Sequence, residues 1–590
     1  MTAEFIPHPT GAKIIAQTLQ LLGVKVIFGL VGIPVVQIAE EAIALGIRFI
    51  AFRNEQACSY AATAYGYLTG RPGVCLVVGG PGVLHAMAGV GNSDANAFPM
   101  LLLAGSCETH LVGKGAFQEM DAVSLLTPHV KKAVRASVDD ISTKIRDSYR
   151  SAWYGRPGTG FVDLPADIIQ GKPIEDVAEA RAVSAAPRAG VDPEKLAQVA
   201  ALLRTAKAPL VVVGKGAAYA KAENGIRQLI EDTGIPFLPT PMGKGVLPDS
   251  HSLNTSSARS AALKGADVVL VLGARLNWIL HFGDEAKWSS NVKLIQVDIN
   301  AEEIGKNNGD ADLGIVGDIN IVVPQLITAL AGFRYDVTSP YMQALQASKA
   351  KNEANAAKTA AIIKSPMGYH QVFDIIKRTL DKVSPPEDGN TVYISEGANT
   401  MDISRSAFPI EHPRLRMDAG THATMGVGLG YAIAAHCAYN LLDPEGESGP
   451  SVSGNKKIVC LEGDSAFGFS MPEVETMARY NMSPLIFVIN NSGIYHGDSE
   501  EEDHWLALQS KTSKGESGGL RSTSLGWEVR YEMMAEMCGG KGFFVRTSEE
   551  LEKATEEGFK ADVPVVVNVV IESGSGKKLE FGWQKAGGKK

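Results

Sequence analysis

Two short polar stretches in the last third of the chain carry residue types that could bind a metal ion and a diphosphate. One apolar run ends in Gly463-Asp464-Ser465, and the next ends just before Asn491. We expect both ends at the carboxyl edge of a parallel sheet, where ligands bind. Asp464, Asn491 and the carbonyl oxygen of Gly493 are the hard donors that Mg²⁺ prefers, and the N–H groups after Ser465 can bind phosphate. The alternative is an ordinary turn in which Asp464 caps a helix.

Two further loops could contribute to the same site. The stretch SEGANTMD also follows an apolar run, and Gly397, Asn399 and Thr400 offer backbone and side-chain donors for the far phosphate. In DAGTHATMGVGLG the glycines allow close backbone approach, and Met425 is a single bulky apolar residue among small ones. An ordinary turn for the first loop and a core-filling methionine in the second are the alternatives.

Short apolar runs that alternate with helical stretches such as 56–68 predict the elements that position these residues. Continuous rather than alternating apolar residues indicate parallel strands covered on both faces, and therefore an α/β fold. The runs are 26–32, 73–80, 100–106, 159–165, 209–216, 266–275, 293–300, 391–397, 457–464, 484–490 and 563–571. Two Ala-rich, charged stretches, 177–193 and 345–365, interrupt this rhythm and are interpreted as linkers between three domains.

Composition excludes several classes of protein. The chain has 590 residues, of which 45% are hydrophobic and 21% charged, as expected of globular domains. A net charge of −9 argues against a nucleic-acid partner. The six cysteines show no C-x-x-C spacing, which predicts buried, reduced thiols. No secretory signal, no apolar run long enough for a membrane helix and no peroxisomal address is recognised. We therefore expect a cytoplasmic protein without a membrane partner.

The spacing of GDS and NN resembles the signature of thiamine-diphosphate enzymes, with Ser465 in place of a glycine. The segment FRNEQACSYAATAYGYLTGRPGVCLVVGGPG resembles the first domain of the pyruvate decarboxylase and acetolactate synthase superfamily. This resemblance implies three doubly wound parallel-sheet domains: 1–185 for the pyrimidine, 190–345 as a central nucleotide-binding-like domain, and 365–575 for the diphosphate and Mg²⁺. A flexible basic tail would follow at 576–590.

The resemblance also implies roles for individual residues. Glu55 would exchange a proton with the aminopyrimidine ring of the cofactor, and Met425 would hold its two rings bent. His85 and His496 are interpreted as structural hydrogen bonders rather than proton donors. The implied metal ligands are Asp464, Asn491 and Gly493. The implied cofactor-binding residues are Gly397, Asn399, Thr400, Met425, Gly463, Ser465, Ala466, Ile494 and Tyr495. In such enzymes the cofactor lies between subunits, which implies a homodimer or homotetramer.

Further motifs, among them GIPV, GAFQEMDA, SEGANTMD and EVETMARY, are similar to the 2-hydroxyacyl-CoA lyase and oxalyl-CoA decarboxylase branch. That branch implies an acyl-CoA substrate. Phe117 stands where a decarboxylase is expected to have Tyr, which favours a lyase that forms formyl-CoA and an aldehyde. Gln118 would bind the substrate hydroxyl or carbonyl, and Glu119 would relay a proton or be a solvated loop acid. Oxalyl-CoA decarboxylase, a catalytically silent partner protein and, more remotely, acetolactate synthase are the alternatives.

The central region has the outline of a nucleotide-binding domain without GxGxxG. Lys215 lies in a glycine turn, Arg275 ends one apolar run and Asp298 ends the next. In the resembling branch these residues, with Arg156 from the first domain, bind ADP or the nucleotide part of CoA; a purely structural domain is the alternative. The branch also implies that the basic tail closes over CoA, or is disordered. A peroxisomal location is the alternative to the cytoplasm.

Overall fold

The structure is a computed structural model that describes residues 9–172, 181–441 and 455–573. The chain forms two compact units. The first unit comprises Met1–Pro187, Leu429–Lys456 and Ser470–Met482, and the second comprises Arg188–Gly428, Lys457–Phe469 and Ser483–Lys590. Among the described residues, no helix has both the length and the apolar character needed to cross a membrane.

The first unit is built on a six-stranded parallel sheet in the order β2-β1-β3-β4-β6-β5. Its strands are β1 Val26–Leu30, β2 Arg48–Ala51, β3 Gly73–Val77, β4 Met100–Ser106, β5 Lys132–Arg135 and β6 Thr159–Pro165. Its core includes fully buried Ile27, Leu76, Leu103 and Val162 from four adjacent strands. The helices of the first 170 residues are α1 Gly11–Leu21, α2 Val36–Ala44, α3 Glu55–Thr69, α4 Pro81–Asn96, α5 Ala122–Leu126, α6 Ile141–Trp153 and α7 Ala166–Gln170.

The second unit contains two parallel sheets, of which the earlier in sequence has the order β11-β10-β9-β7-β8. Its strands are β7 Pro209–Val213, β8 Phe237–Pro239, β9 Val268–Leu272, β10 Lys293–Asp298 and β11 Ile315–Val316. The accompanying helices are α8 Pro193–Thr205, α9 Lys215–Tyr219, α10 Glu223–Thr233, α11 Arg259–Gly265, α12 Ile319–Ala329 and α13 Pro340–Ala360. The three inner strands are buried along most of their length, as their continuous apolar runs predict.

The third sheet has the order β13-β12-β14-β15-β17-β16, and all its strand pairs are parallel. Its strands are β12 Thr391–Ser395, β13 Arg416–Asp418, β14 Lys457–Gly463, β15 Leu485–Asn490, β16 Lys541–Val545 and β17 Val565–Val570. The helices of this last third are α14 Tyr369–Val383, α15 Ala398–Ala407, α16 Gly428–Asn440, α17 Asp464–Ser470, α18 Glu473–Arg479, α19 Glu502–Ser513, α20 Met533–Met537 and α21 Ser548–Lys560.

The predicted fold class, α/β with three parallel sheets, is confirmed. All six cysteines are unbridged and five are buried, in agreement with the prediction of reduced thiols. The second predicted linker, 345–365, mostly forms the exposed end of α13. The first linker, 177–193, lies partly outside the described residues, and the predicted tail, 576–590, lies wholly outside them.

Candidate active site

In the second unit, the structure brings the two predicted oxygen-donor loops together. Neighbouring strands β14 and β15 pair Gly463 with Ile489, so Asp464 and Asn491 both follow the carboxyl ends of adjacent strands. One carboxylate oxygen of Asp464, Oδ2, accepts the N–H groups of Asn491 and Gly493, each at 3.2 Å. The amide oxygen of Asn491 accepts the same Gly493 N–H at 3.1 Å. Asp464 is therefore hydrogen-bonded to the turn that contains the other two predicted metal ligands, Asn491 and Gly493.

Asp464 is almost fully buried, at 3% exposed. Burial raises the pKa of its carboxyl to about 7, although N–H groups of the turn favour the charged form. Within the described ranges, no basic side chain forms an ion pair with it, and no group of three or more His, Cys, Asp and Glu could hold a metal. A buried carboxylate that lacks a basic partner but lies beside an amide oxygen fits a cation bound partly by neutral oxygens.

The predicted phosphate loops converge on the same turn. Gly397 has φ +86°, and a Cβ at this position would lie 3.3 Å from the nitrogen of Gly463 and 3.7 Å from the Cβ of Ala466. A Cβ on Gly463 would in turn lie 3.5 Å from the hydroxyl oxygen of Thr400. The segments that follow β12 and β14 therefore lie against each other, and the φ of Gly397 favours glycine at that position.

The asparagines of two loops share one acceptor. Asn399 and Asn491 donate from their side-chain amides to the carbonyl oxygen of Tyr495, at 3.2 and 2.9 Å. Tyr495 itself has φ +70°, and half-exposed Ile494 precedes it in the same turn. The N–H of Ser465 donates to Asp464 Oδ1 at 2.8 Å. The predicted diphosphate-binding residues thus lie at the carboxyl ends of β12, β14 and β15 and in the first turns of α15 and α17.

Met425 lies in the loop between β13 and α16 and is half-buried. The next residue, Gly426, has φ +85°, and a Cβ there would lie 2.9 Å from the Cβ of Phe469 at the end of α17. The loop is therefore packed against the helix that follows the predicted metal ligand. Its shape requires glycine at this position, because other residues rarely adopt that φ.

In the first unit, Glu55 is the first residue of α3. Asn54 caps this helix by accepting the N–H of Gln56 at 2.7 Å, and Gly70, with φ 77°, ends it. Glu55 is buried, at 9% exposed, and its Oε2 lies 3.1 Å from Nδ1 of His85 on α4. The predicted catalytic acid is thus held at a helix N-terminus, with an imidazole beside it.

The motif GAFQEMDA, residues 115–122, which carries the predicted substrate-binding residue Gln118, approaches the N-terminus of α4. A Cβ on Gly80 would lie 3.1 Å from the carbonyl oxygen of Gln118, which has φ +54°. The side-chain oxygen Oε1 of Gln118 is buried without a hydrogen-bond partner among the described residues. Exposed Phe117 precedes it. A buried, unpartnered amide oxygen is a candidate contact for a ligand.

Glu119 has a different environment from the one that a proton relay requires. Its carboxylate accepts the backbone N–H groups of Gly113, Gly115 and Ala116, the last two at 2.9 and 3.0 Å. These bonds, led by that from Gly113, lower the pKa of Glu119. The loop amides therefore stabilise its ionised form, and the relay role stays a prediction.

The central sheet places three of the four predicted nucleotide residues at one edge. Lys215 begins α9 after β7, Asp298 ends β10, and Arg275 lies three residues past the end of β9, in the following loop rather than at the strand end. Arg275 donates to the hydroxyl of Thr421 in the Met425 loop at 3.1 Å. The fourth residue, Arg156, belongs to the first unit and pairs with Asp94 at 3.1 Å.

Three buried acids were not predicted as site residues. Glu396 follows β12, Glu462 lies on β14 and Glu473 begins α18, and all three are 0% exposed. Burial raises the pKa of Glu396 to about 8 and that of Glu462 well above its usual range. Glu396 and Glu473 stand in the quoted motifs SEGANTMD and EVETMARY, and an acid among the apolar residues of the run 457–464 is the signal that could have identified Glu462.

Three models of protein families match consecutive parts of the chain. Their descriptions are "Thiamine pyrophosphate enzyme, N-terminal TPP binding domain" for residues 9–125, "Thiamine pyrophosphate enzyme, central domain" for 196–326, and "Thiamine pyrophosphate enzyme, C-terminal TPP binding domain" for 396–569. Thiamine pyrophosphate, TPP, is thiamine diphosphate. The matches to the two TPP-binding domains contain Glu55 and the predicted metal ligands, respectively.

Curated relatives are similar over nearly the whole chain. The 2-hydroxyacyl-CoA lyase 1 of Homo sapiens is 43% identical over 582 residues, which cover 97% of this chain and 96% of that protein. The 2-hydroxyacyl-CoA lyase of Saccharomyces cerevisiae is 42% identical, with 98% and 99% covered. The oxalyl-CoA decarboxylase of Escherichia coli K12 is 35% identical, with 96% and 95% covered.

Proposed function

Because the chain belongs to the thiamine pyrophosphate enzyme family, we propose that it is a TPP- and Mg²⁺-dependent 2-hydroxyacyl-CoA lyase. It would cleave the C1–C2 bond of a 2-hydroxyacyl-CoA to formyl-CoA and an aldehyde, or catalyse the reverse condensation. The observation that carries the proposal is the convergence of Asp464, Asn491 and the Gly397 loop at one sheet edge, together with relatives of that name at 42–43% identity.

When bound, TPP supplies an electron sink for carbon–carbon bond cleavage. We propose that Asp464, Asn491 and the Gly493 carbonyl hold Mg²⁺, and that the loops of Gly397 and Ser465 hold the diphosphate. Glu55 would accept and return a proton at its buried carboxylate, with His85 fixing the orientation of that group. Gln118 would direct its unpartnered amide oxygen to the substrate hydroxyl.

The second candidate is oxalyl-CoA decarboxylase, because a relative of that name is 35% identical. Phe117 favours the lyase, since its exposed ring offers no hydroxyl to a second carboxylate. A third candidate, a catalytically silent partner protein, conflicts with the presence of Glu55, Asp464 and Asn491. Turnover of both CoA thioesters with TPP and Mg²⁺, followed by formyl-CoA release, separates the three. Preferred turnover of oxalyl-CoA, or no turnover of either, would contradict the proposal.

The role of Glu55 is tested by Glu55→Gln, which keeps the shape of the side chain but cannot exchange a proton. We expect kcat to fall by about 10²-fold or more, the range of general acid–base catalysis, while TPP and Mg²⁺ still raise the Tm. Glu353→Gln removes a charge on the exposed part of α13 and should leave kcat unchanged. A Glu55→Gln enzyme with wild-type kcat would refute this role.

Assembly, nucleotide binding and location complete the proposal. We propose a homodimer or homotetramer with the active site at the subunit interface, which sedimentation analysis tests. Lys215, Arg275 and Asp298, with Arg156, would hold ADP or the nucleotide part of CoA, which calorimetric titration tests. Domain boundaries at 1–185, 190–345 and 365–575 and a cytoplasmic location, with the peroxisome as the alternative, are proposals from sequence.

A further inference from the structure

Glu396 connects the end of β12 to the loop that carries Met425. Its side chain is 0% exposed. Its Oε1 accepts the backbone N–H of Gly426, and its Oε2 accepts that of Gly428. One carboxyl group thus spans the three residues that follow Met425 and lead into α16. Two amides held by one rigid group fix both the position and the direction of the chain between them.

The loop is adapted to this carboxyl group. A Cβ on Gly428 would lie 2.9 Å from Glu396 Oε2 and 2.0 Å from Glu462 Oε1, so any other residue there would require these carboxyl groups to move. Gly426 has φ +85°, which also favours glycine. The two glycines therefore stand at the two positions whose N–H groups Glu396 accepts. The contact therefore involves specific residue types at three separate positions, Glu396, Gly426 and Gly428.

The carboxyl group is costly to bury. Ser395 and Leu461 are paired across β12 and β14, so the next residues, Glu396 and Glu462, lie at the carboxyl ends of neighbouring strands. Both are fully buried, and within the described ranges neither forms an ion pair with a basic side chain. Burial of acids without basic partners destabilises a fold, and such groups concentrate at functional sites. Of these two acids, Glu396 is the one that accepts hydrogen bonds from backbone amides of the Met425 loop.

We propose that Glu396 is a positioning residue that fixes the loop 425–428 and thereby holds Met425 in the place where it contacts bound TPP. This inference rests on the proposed function, because the role of Met425 belongs to it. Glu396 acts on the cofactor only through the backbone amides of Gly426 and Gly428. Its loss should therefore affect cofactor affinity and kcat, and leave the KM for the acyl-CoA nearly unchanged.

The test compares Glu396→Gln with Glu411→Gln. Glu411 is a matched control because it is also a buried acid of the second unit, and it holds another loop through the N–H and hydroxyl of Ser250. A glutamine at 396 can accept one amide but places its own NH₂ group against the other. We expect the Kd of TPP, measured by protein fluorescence with Mg²⁺, to rise about tenfold or more for Glu396→Gln, and less than twofold for Glu411→Gln. Amide exchange over 425–428 should become faster only in the first variant.

A double-mutant cycle with Met425→Ala tests whether Glu396 acts through Met425. In the Met425→Ala background, Glu396→Gln should raise the Kd of TPP less than twofold further. Fully additive effects, or wild-type TPP affinity and kcat in Glu396→Gln despite faster exchange, would overturn the proposal. If Glu396→Gln does not fold, Gly428→Ala disturbs the same contact from the loop side. It must likewise lower kcat and leave the KM for the acyl-CoA nearly unchanged.

These measurements remain separable from the proposed function. TPP affinity and amide exchange are measured without an acyl-CoA. A wild-type chain that binds TPP but cleaves no 2-hydroxyacyl-CoA would contradict the lyase activity and leave the Glu396 comparison intact. A wild-type chain that binds no TPP would overturn both.

Discussion

Glu473 shows how a single buried acid can position the segment that carries the predicted catalytic acid, Glu55. It begins α18 and accepts the backbone N–H of Arg53 at 3.2 and 3.3 Å and the hydroxyl of Thr476 at 2.7 Å. Arg53 lies two residues before Glu55. The carboxyl group therefore fixes the chain that enters α3, and burial raises its pKa to about 7.

Replacing Glu473 with Gln should flatten the pH dependence of stability. The folded state keeps the proton up to about pH 7, whereas an unfolded glutamate releases it near pH 4.3. This contribution is therefore fully present below about pH 4 and is lost as the pH rises to 7. Between pH 4.5 and 8, the free energy of unfolding of Glu473→Gln, measured in urea, should change by about 3 kcal/mol less than that of the wild type. Glu353→Gln should reproduce the wild-type curve, and identical curves for all three proteins would refute this assignment.

At the residue scale, the sequence predicts contacts between side chains that follow the ends of neighbouring parallel strands. Asp464 and Asn491 were predictable because each follows an apolar run, and parallel strands bring their carboxyl ends together. The partners of Glu396 and Glu473 were not predictable, although both stand in quoted motifs. Their contacts are with backbone amides of distant segments, and only packing determines which amides those are.

At the scale of elements, inner and edge strands differ in how well the sequence predicts them. The eleven apolar runs correspond to the inner strands of the three sheets, from β1 to β17. None of the six edge strands of these sheets is among the eleven runs. Edge strands contact the sheet on one side only and are short, such as β11 with two residues, and partly polar, such as β5 with the sequence KAVR. Their pairing depends on a neighbour rather than on a continuous apolar pattern.

The helix that carries Glu55 is packed so closely that one glycine within it is required. A Cβ on Gly66 of α3 would lie 2.0 Å from the carbonyl oxygen of Pro99, whereas a Cβ on Gly91 of α4 would meet nothing within 4 Å. Gly66→Ala should therefore lower the free energy of unfolding by about 1–3 kcal/mol through overpacking. Gly91→Ala should raise it by about 0.5–1 kcal/mol, because alanine favours a helix over glycine.

Denaturant midpoints of the two alanine variants check this contrast. Both changes add one methyl group to the middle of a helix, so helix propensity alone would stabilise both to the same extent. Opposite signs support the packing of α3 against the segment before β4. Equal stabilisation would mean that α3 can move away from Pro99, and Glu55 would then be less rigidly held than its contacts indicate.

At the scale of the whole molecule, the second unit joins two sheets through buried charge. Arg414, one of the residues before β13, is 1% exposed and has φ +64°. Its guanidinium donates to the carbonyl oxygen of Ala218 on α9 at 2.6 Å and to Glu223 on α10 at 2.9 Å. The helix that begins at Lys215 is thereby attached to the strand that leads into the Met425 loop. Three of the predicted nucleotide residues, Lys215, Arg275 and Asp298, and the predicted diphosphate loops thus belong to the same unit.

Removal of Glu223 should test that attachment. Glu223→Ala leaves the buried Arg414 without its carboxylate, and loss of one partner of a buried ion pair costs about 3–5 kcal/mol. The solvent-exposed pair Arg479–Glu475 offers a matched comparison, because its geometry is similar, at 2.9 Å, but Glu475→Ala should cost about 1 kcal/mol or less. Urea unfolding gives both values, and amide exchange should become faster at the start of α9 and at β13 only in Glu223→Ala. Equal small losses in the two variants would show that the two sheets are held together by apolar packing instead.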